Sequence, residues 1–374
     1  MNSSLHVGRL PLMALAIAAL LLGLWSGLLR LGWMWSGIGS HLPSIHGGLM
    51  VGGFLGTLIS LERAVAVERR WAYAAPLLTG LGGVALLLNL PIWVGALLIS
   101  LGSLVTIAIF VVIVRIQPAL FTVTIALGTL LWTIGNLLWL SGMAVPQVVL
   151  WWASFLIFTI AGERLELSRL LRLTRSVQAL FIGASLILIG GLFLTLANHD
   201  LGSRVAGAGM LALALWLLRF DIARRRIKAG GLARYIAIAL IVGYVWLGVG
   251  GLIVLIQGSL WAGPVYDALL HAIFLGFVFS MIFGHAPIIF PAVLGLPIRY
   301  SGIFYSHLIL LHATLIVRVA GDLLLWMPVR RWAGLLNALV LLLFLVNTIL
   351  SMRKVNGKAQ SGSKPYGDQL ASVR

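Results

Sequence analysis

An all-α integral membrane fold of twelve transmembrane helices is what this sequence predicts, and three observations carry the prediction. Of 374 residues, 61% are hydrophobic and only 9% charged, whereas a soluble domain carries about 25% charged residues. Twelve apolar runs can be marked along the chain, most of them near the roughly 18 residues that cross the hydrocarbon of a bilayer. The basic residues gather at alternate connections between those runs, as the positive-inside bias requires of a multi-pass chain.

The runs follow in order. The first, 10–30, is too long for a signal-peptide core and lacks a small-residue cleavage site, so it reads as a span. The second, 45–66, carries Gly48, Gly52 and Gly56 at the spacing of close helix packing, which suits a central position. The third and fourth, 73–91 and 92–114, are parted only by Asn89-Leu90-Pro91. Four more occupy 119–141, 146–167, 177–197 and 203–219. The ninth covers 234–257 and the tenth 265–288. Pro287, Pro291 and Pro297 are expected to break the end of the tenth and free backbone to line a cavity. Runs at 301–321 and 331–351 complete one domain over 1–352. The Gly/Ser/Lys-rich segment 353–374 is expected to be a disordered polar tail.

Charge sets the topology. With the N-terminus inside, the inner side takes 21 of the 26 Lys and Arg, and the outer side takes Arg30, Arg204, Arg318, Arg330 and Arg331. Both ends are then cytoplasmic, and the bilayer is the cell's inner membrane. The formal net charge of +17 is a set of topology signals facing anionic lipid, so no nucleic-acid partner is expected. Zero Cys excludes disulfides and thiolate metal sites.

Spans two, six and ten share a pattern. Phe54, Phe155 and Phe277 each precede a polar residue by eight positions: Glu62, Glu163 and His285. Arg63 and Arg164 follow the two glutamates. The recurrence suggests three four-helix units, about 10–115, 118–220 and 233–352, around a pseudo-threefold axis. Sites in membrane proteins often lie where repeats meet.

Ionisable groups inside spans are costly unless paired, hydrated or liganded, so each is a candidate. His46 and His271 fall in the outer halves of spans two and ten. Two facing imidazoles can supply both axial ligands of a haem, though each also reads as an interfacial residue near a helix end. The adjacent Arg330 and Arg331 could hold two propionates or simply anchor a helix end. Deeper in, Glu62, Glu163, His285, His307 and His312 suit a second transition metal, Cu, Fe, Mn or Zn, with salt bridging by the nearby arginines as the alternative for the glutamates. His307 and His312 lie ~140° apart around an ideal helix. His46 and Glu62 differ by ~160°, so both face one interior only if their helix departs from ideal winding. Arg318 and Asp322 read as an i,i+4 pair.

With these residues in view, the chain resembles the haem–copper oxidase type of membrane bundle, and more closely the NnrS family of haem- and copper-containing membrane proteins. The stretches carrying the resemblance are His46-Gly-Gly-Leu-Met-Val-Gly-Gly-Phe54-Leu-Gly and His271-Ala-Ile-Phe-Leu-Gly276. The resemblance implies a low-spin haem clamped by spans two and ten, with Arg330 and Arg331 on its propionates. It further implies a membrane oxidoreductase working in electron transfer or nitric oxide chemistry, with a quinone, an electron donor or a small gas as partner. Span six has no histidine and span seven no His-His pair, so oxidase-type dioxygen reduction is not expected. A proton-coupled secondary transporter, relaying protons through the intramembrane Glu and His residues, is the rival reading.

Overall fold

The structure, a computed structural model, describes residues 6–33, 41–171 and 173–352; the tail 353–374 lies outside them. Twelve helices stand where the twelve apolar runs fall: α1 (Leu10–Arg30), α2 (Leu42–Val67), α3 (Ala74–Leu87), α4 (Ile92–Ile116), α5 (Leu120–Leu140), α6 (Val145–Ser168), α7 (Arg175–Thr195), α8 (His199–Phe220), α9 (Gly231–Gln257), α10 (Pro264–Leu294), α11 (Phe304–Leu323) and α12 (Met327–Ser351). Eleven of these are long and apolar enough to cross a membrane. The chain is therefore an all-α, multi-pass membrane protein that needs a lipid bilayer around it. The exception is α3, whose 14 residues rise about 21 Å; a short 3-10 turn, Arg70–Tyr73, leads into it.

Helix ends follow local chemistry. Pro stands in the first turn of α1, α2, α6, α10 and α12, where its missing N–H costs nothing. Thr174 and Asn198 cap α7 and α8 by accepting from Val177 and Leu201. Asn89, at φ +55°, and Pro91 part α3 from α4. Two stretches wind as π-helix: Leu49–Gly56 within α2 and Ala272–Phe279 within α10.

One expectation fails. The prolines do not break α10, which runs through Pro287 and Pro291 and stops at Gly295 with φ +74°. A membrane helix tolerates an internal proline because neighbouring groups re-satisfy the freed backbone. Gly295 supplies the left-handed residue that ends the helix.

Consecutive helices pack as neighbours, with contacts from α4 to α5, α8 to α9 and α12 back to α1. In the middle, α2, α6 and α10 touch one another. Inward-facing bulk on α6 includes Trp151, Trp152, Phe155 and Phe158, all fully buried. Phe54 of α2 stacks on Phe279 of α10 at 5.9 Å, joining the two π-helical stretches.

Glycine sets the closest approach. A Cβ at Gly191 of α7 would collide with the backbone of Ala206, and one at Gly209 of α8 with the backbone of Leu188. Gly209→Val is expected to lower the thermal midpoint in detergent, at an overpacking cost of about 1–3 kcal/mol or more. Gly183→Val, on the same helix pair but with open space at its Cβ, should leave the midpoint unchanged. Equal effects at both positions would refute this packing account.

Candidate functional site

Two polar cavities lie along the central helices. The histidine cavity has a volume of about 210 Å³, and both His46 and His271 line it. His46 Nδ1 lies 2.9 Å from the Gly23 carbonyl of α1, and His271 Nδ1 lies 2.8 Å from the Asp267 carbonyl one turn earlier in α10. A carbonyl can only accept, so each ring carries its proton on Nδ1 and leaves Nε2 as a bare lone pair. Neither Nε2 has a protein partner among the described residues. The Asp267 carboxylate also approaches His271 Nδ1, at 3.3 Å. Such an outer partner fixes ring orientation and raises basicity at the other nitrogen.

Arginines gather beside this carboxylate. Arg318 holds Asp267 with two nitrogens, Nε at 3.0 Å and Nη2 at 3.2 Å, a bidentate grip that fixes both partners. Arg330 reaches Asp322 at 2.7 Å and Asp267 at 3.7 Å. Arg30 lines the same cavity and donates to the Pro43 carbonyl at 3.1 Å. Asn337 accepts from Arg318 at 3.5 Å and donates to Thr314 at 2.7 Å. The remaining wall is apolar, with Leu24, Met50, Val149, Leu270, Phe274 and Leu341.

The arginine assignment changes in two places. Arg331 does not line the cavity; its guanidinium stacks over Trp33 at 4.3 Å, and its carbonyl accepts from Trp33 Nε1 at 3.2 Å. Adjacent residues point about 100° apart around a helix, so Arg330 and Arg331 cannot share a target. Arg318, one helix earlier, stands beside Arg330 instead. The expected Arg318–Asp322 pair does not form, because Arg318 turns to Asp267 and Asp322 takes Arg330.

The carboxylate cavity, about 80 Å³ in volume, brings Glu62, Glu163 and His285 together from α2, α6 and α10. Arg63 sits between the carboxylates, 3.4 Å from Glu62 and in close ion-pair contact with Glu163. His285 Nδ1 donates to the Met281 carbonyl at 2.9 Å, leaving Nε2 without a protein partner among the described residues. His46 and Glu62 both face the interior because π-helical winding takes more residues per turn than α-helix. The stretch Leu49–Gly56 thus absorbs most of the mismatch between them. Leu55 lines both cavities, so one apolar layer separates them.

His307 and His312 stand elsewhere. Asn347 donates to His307 Nδ1 at 3.1 Å, and His307 Nε2 meets the Tyr235 hydroxyl at 3.1 Å, inside a shell of Phe283, Phe304 and Phe344. Trp246 Nε1 donates to His312 Nδ1 at 3.0 Å, and His312 Nε2 meets Ser280 Oγ at 3.3 Å. All four nitrogens are occupied, so these are hydrogen-bonded core histidines. No group of three or more His, Asp or Glu placed to hold a metal occurs among the described residues. With Arg63 on the carboxylates and two of the three histidines engaged, the five-residue metal centre does not assemble.

Arg63 takes the salt-bridging role that its place beside Glu62 allows in sequence, whereas Asp267 is absent from the candidates of the sequence. Asp267 was in reach, since it lies four residues before His271 and hence on its face.

Fold and site define a class: a multi-pass helical membrane protein with two polar cavities on its central helices, one lined by paired imidazoles and one by paired carboxylates. Within that class, the chain belongs to the family described as a domain of unknown function (DUF8744), whose model matches residues 9–353 and so covers all twelve helices. No curated protein matches it.

Proposed function

We propose that the chain is a haem-binding electron-transfer protein of the cytoplasmic membrane, with His46 and His271 as the axial ligands. One observation carries the reading: two imidazoles from helices α2 and α10 line one cavity, each with Nδ1 held by a backbone carbonyl and Nε2 left unpartnered. That is the donor set iron takes from histidine. The apolar walls suit a porphyrin face, and Arg30, Arg318 and Arg330 suit its carboxylates. When bound, haem supplies a reversible one-electron change at iron.

The protein's own residues then have separable tasks. Gly23 and Asp267 carbonyls hold the rings in one tautomer. The Asp267 carboxylate strengthens His271 as a donor. Arg318 and Arg330 offset charge at the cavity's polar end. With both histidines as its ligands, haem would have no position open to a small gas, so the arrangement favours electron transfer over gas binding.

The same reading takes α3 as a short twelfth span and both chain ends as cytoplasmic, supported by the scarcity of Lys and Arg at alternate connections. A pseudo-threefold arrangement is supported by the contacts among α2, α6 and α10 and by the meeting of Glu62, Glu163 and His285.

The test is an absorption spectrum of the purified, detergent-solubilised full chain, with haem quantified per protein. A Soret band with sharp reduced α and β bands at about one haem per chain is expected. The carboxylate cavity is the one observation favouring the proton-coupled transporter; a colourless, folded protein that stays colourless on adding haem would discard the haem reading in its favour.

A further inference from the structure

The carboxylate cavity is unbalanced by one charge. Glu62 and Glu163 both face Arg63, and that single guanidinium compensates only one of them. The other charged groups nearby are engaged or withdrawn. Arg164 of α6 is buried near Tyr244 and His285 and forms no ion pair with Glu62 or Glu163 among the described residues; the buried Asp221, bound by Tyr244, adds a further negative charge on that side. Glu166 is exposed. Arg9, which precedes α1, donates to the Ala292 and Val293 carbonyls at the end of α10. His285 is the remaining titratable group lining the cavity. An uncompensated carboxylate among apolar side chains costs several kcal/mol, and the smallest ligand that removes this cost is a proton.

A second observation points to something held in the cavity. The Thr159 hydroxyl is 4% exposed, lines the cavity and has no hydrogen-bond partner. A buried hydroxyl is rarely left unsatisfied and most often meets a water. His285 Nε2 offers a second polar atom in the same space.

We propose that this cavity is a proton-binding site. Glu62 and Glu163 share one exchangeable proton against Arg63, and Thr159 Oγ1 and His285 Nε2 hold the water through which it exchanges. The proton moves between oxygen atoms with no change of oxidation state, so the site requires no redox partner. The proposal stands independently of haem, since its groups belong to the other cavity.

Infrared difference spectroscopy of the full chain in nanodiscs tests it, on coloured or colourless preparations alike. In sodium-free buffer at neutral pH, the carbonyl stretch of a protonated carboxylic acid is expected, shifting in D2O. Glu62→Gln and Glu163→Gln each leave one carboxylate facing one guanidinium, so each should lose that band; the isosteric amides keep the cavity's volume. Thr159→Val should keep the band and slow its shift in D2O. A wild-type protein with no such band overturns the proposal without recourse to any variant. So does a band that survives in both glutamine variants, which would place the protonated acid elsewhere. A band erased by adding sodium would show a metal cation, not a proton, as the ligand.

Discussion

If the proposed haem is bound, His271→Ala and His46→Ala are each expected to abolish its low-spin spectrum, and the double variant to bind no haem. Each ring contributes one lone pair, presented by a nitrogen whose opposite atom is pinned to a carbonyl. Removing an outer partner of a metal ligand costs about 10–100-fold in affinity. Removing the ligand itself should cost more, so haem content should fall below about one hundredth of wild type when haem is limiting. Circular dichroism should stay helical in His271→Ala, whose ring bonds within its own helix. His46 also packs between α2 and Gly23 and Gly27 of α1, so His46→Ala should lose some stability as well as haem. Added imidazole should restore colour to the single variants by entering the vacated space, a rescue that a purely structural histidine would not show. Single variants that keep wild-type bands and haem content would refute the axial assignment. His307, more deeply buried than either, is the control. His307→Ala loses bonds to Asn347 and Tyr235, so it should lower stability and leave the spectrum of the surviving protein unchanged.

These contrasts show how far the sequence could be read. Helix positions were legible, since burial in lipid demands long apolar runs and little else meets that demand. The pairing of His46 with His271 was legible from matched depth on helices with a common pattern, and so was the meeting of Glu62, Glu163 and His285. What a polar residue finds opposite it was not legible. His307 and His312 carry the same letter as His46, and only the positions of Asn347, Tyr235, Trp246 and Ser280 on other helices distinguish them. Winding was equally hidden. The α-helical period puts His46 and Glu62 on opposite faces, and the π-helical stretch that reconciles them is marked in sequence only by glycines. Gly48, Gly52 and Gly56 lie against Trp139, Ile99 and Trp132 respectively. The spacing of those glycines marks a packing surface, and they form one. The neighbours that require it come from α4 and α5.

Asp267→Ala should be among the most destabilising single substitutions in the chain. Asp267 forms ion pairs with both Arg318 and Arg330, and it also faces His271 Nδ1. Arg318 is 5% exposed, so it has little water to turn to. Breaking a buried ion pair by removing one partner costs about 3–5 kcal/mol, because the remaining charge stays buried and unpaired. Arg330 keeps Asp322, so Arg318 bears most of the loss. The double variant Asp267→Ala/Arg318→Leu should therefore recover much of the stability, measured as the thermal midpoint in detergent. The same pair separates structure from ligand tuning. In the double variant the cavity is repacked while the carboxylate that supports His271 is still absent, so haem should bind with about 10–100-fold lower affinity despite restored folding. Asp267→Asn tests the tuning alone, as the amide keeps the shape of the carboxylate and the backbone carbonyl still accepts from His271 Nδ1. It should shift the haem potential upward, since a less basic imidazole stabilises ferric iron less. An Asp267→Ala protein as stable as wild type would mean that Arg318 reaches solvent or another acid, and the ionic arrangement assigned to the histidine cavity would then be wrong.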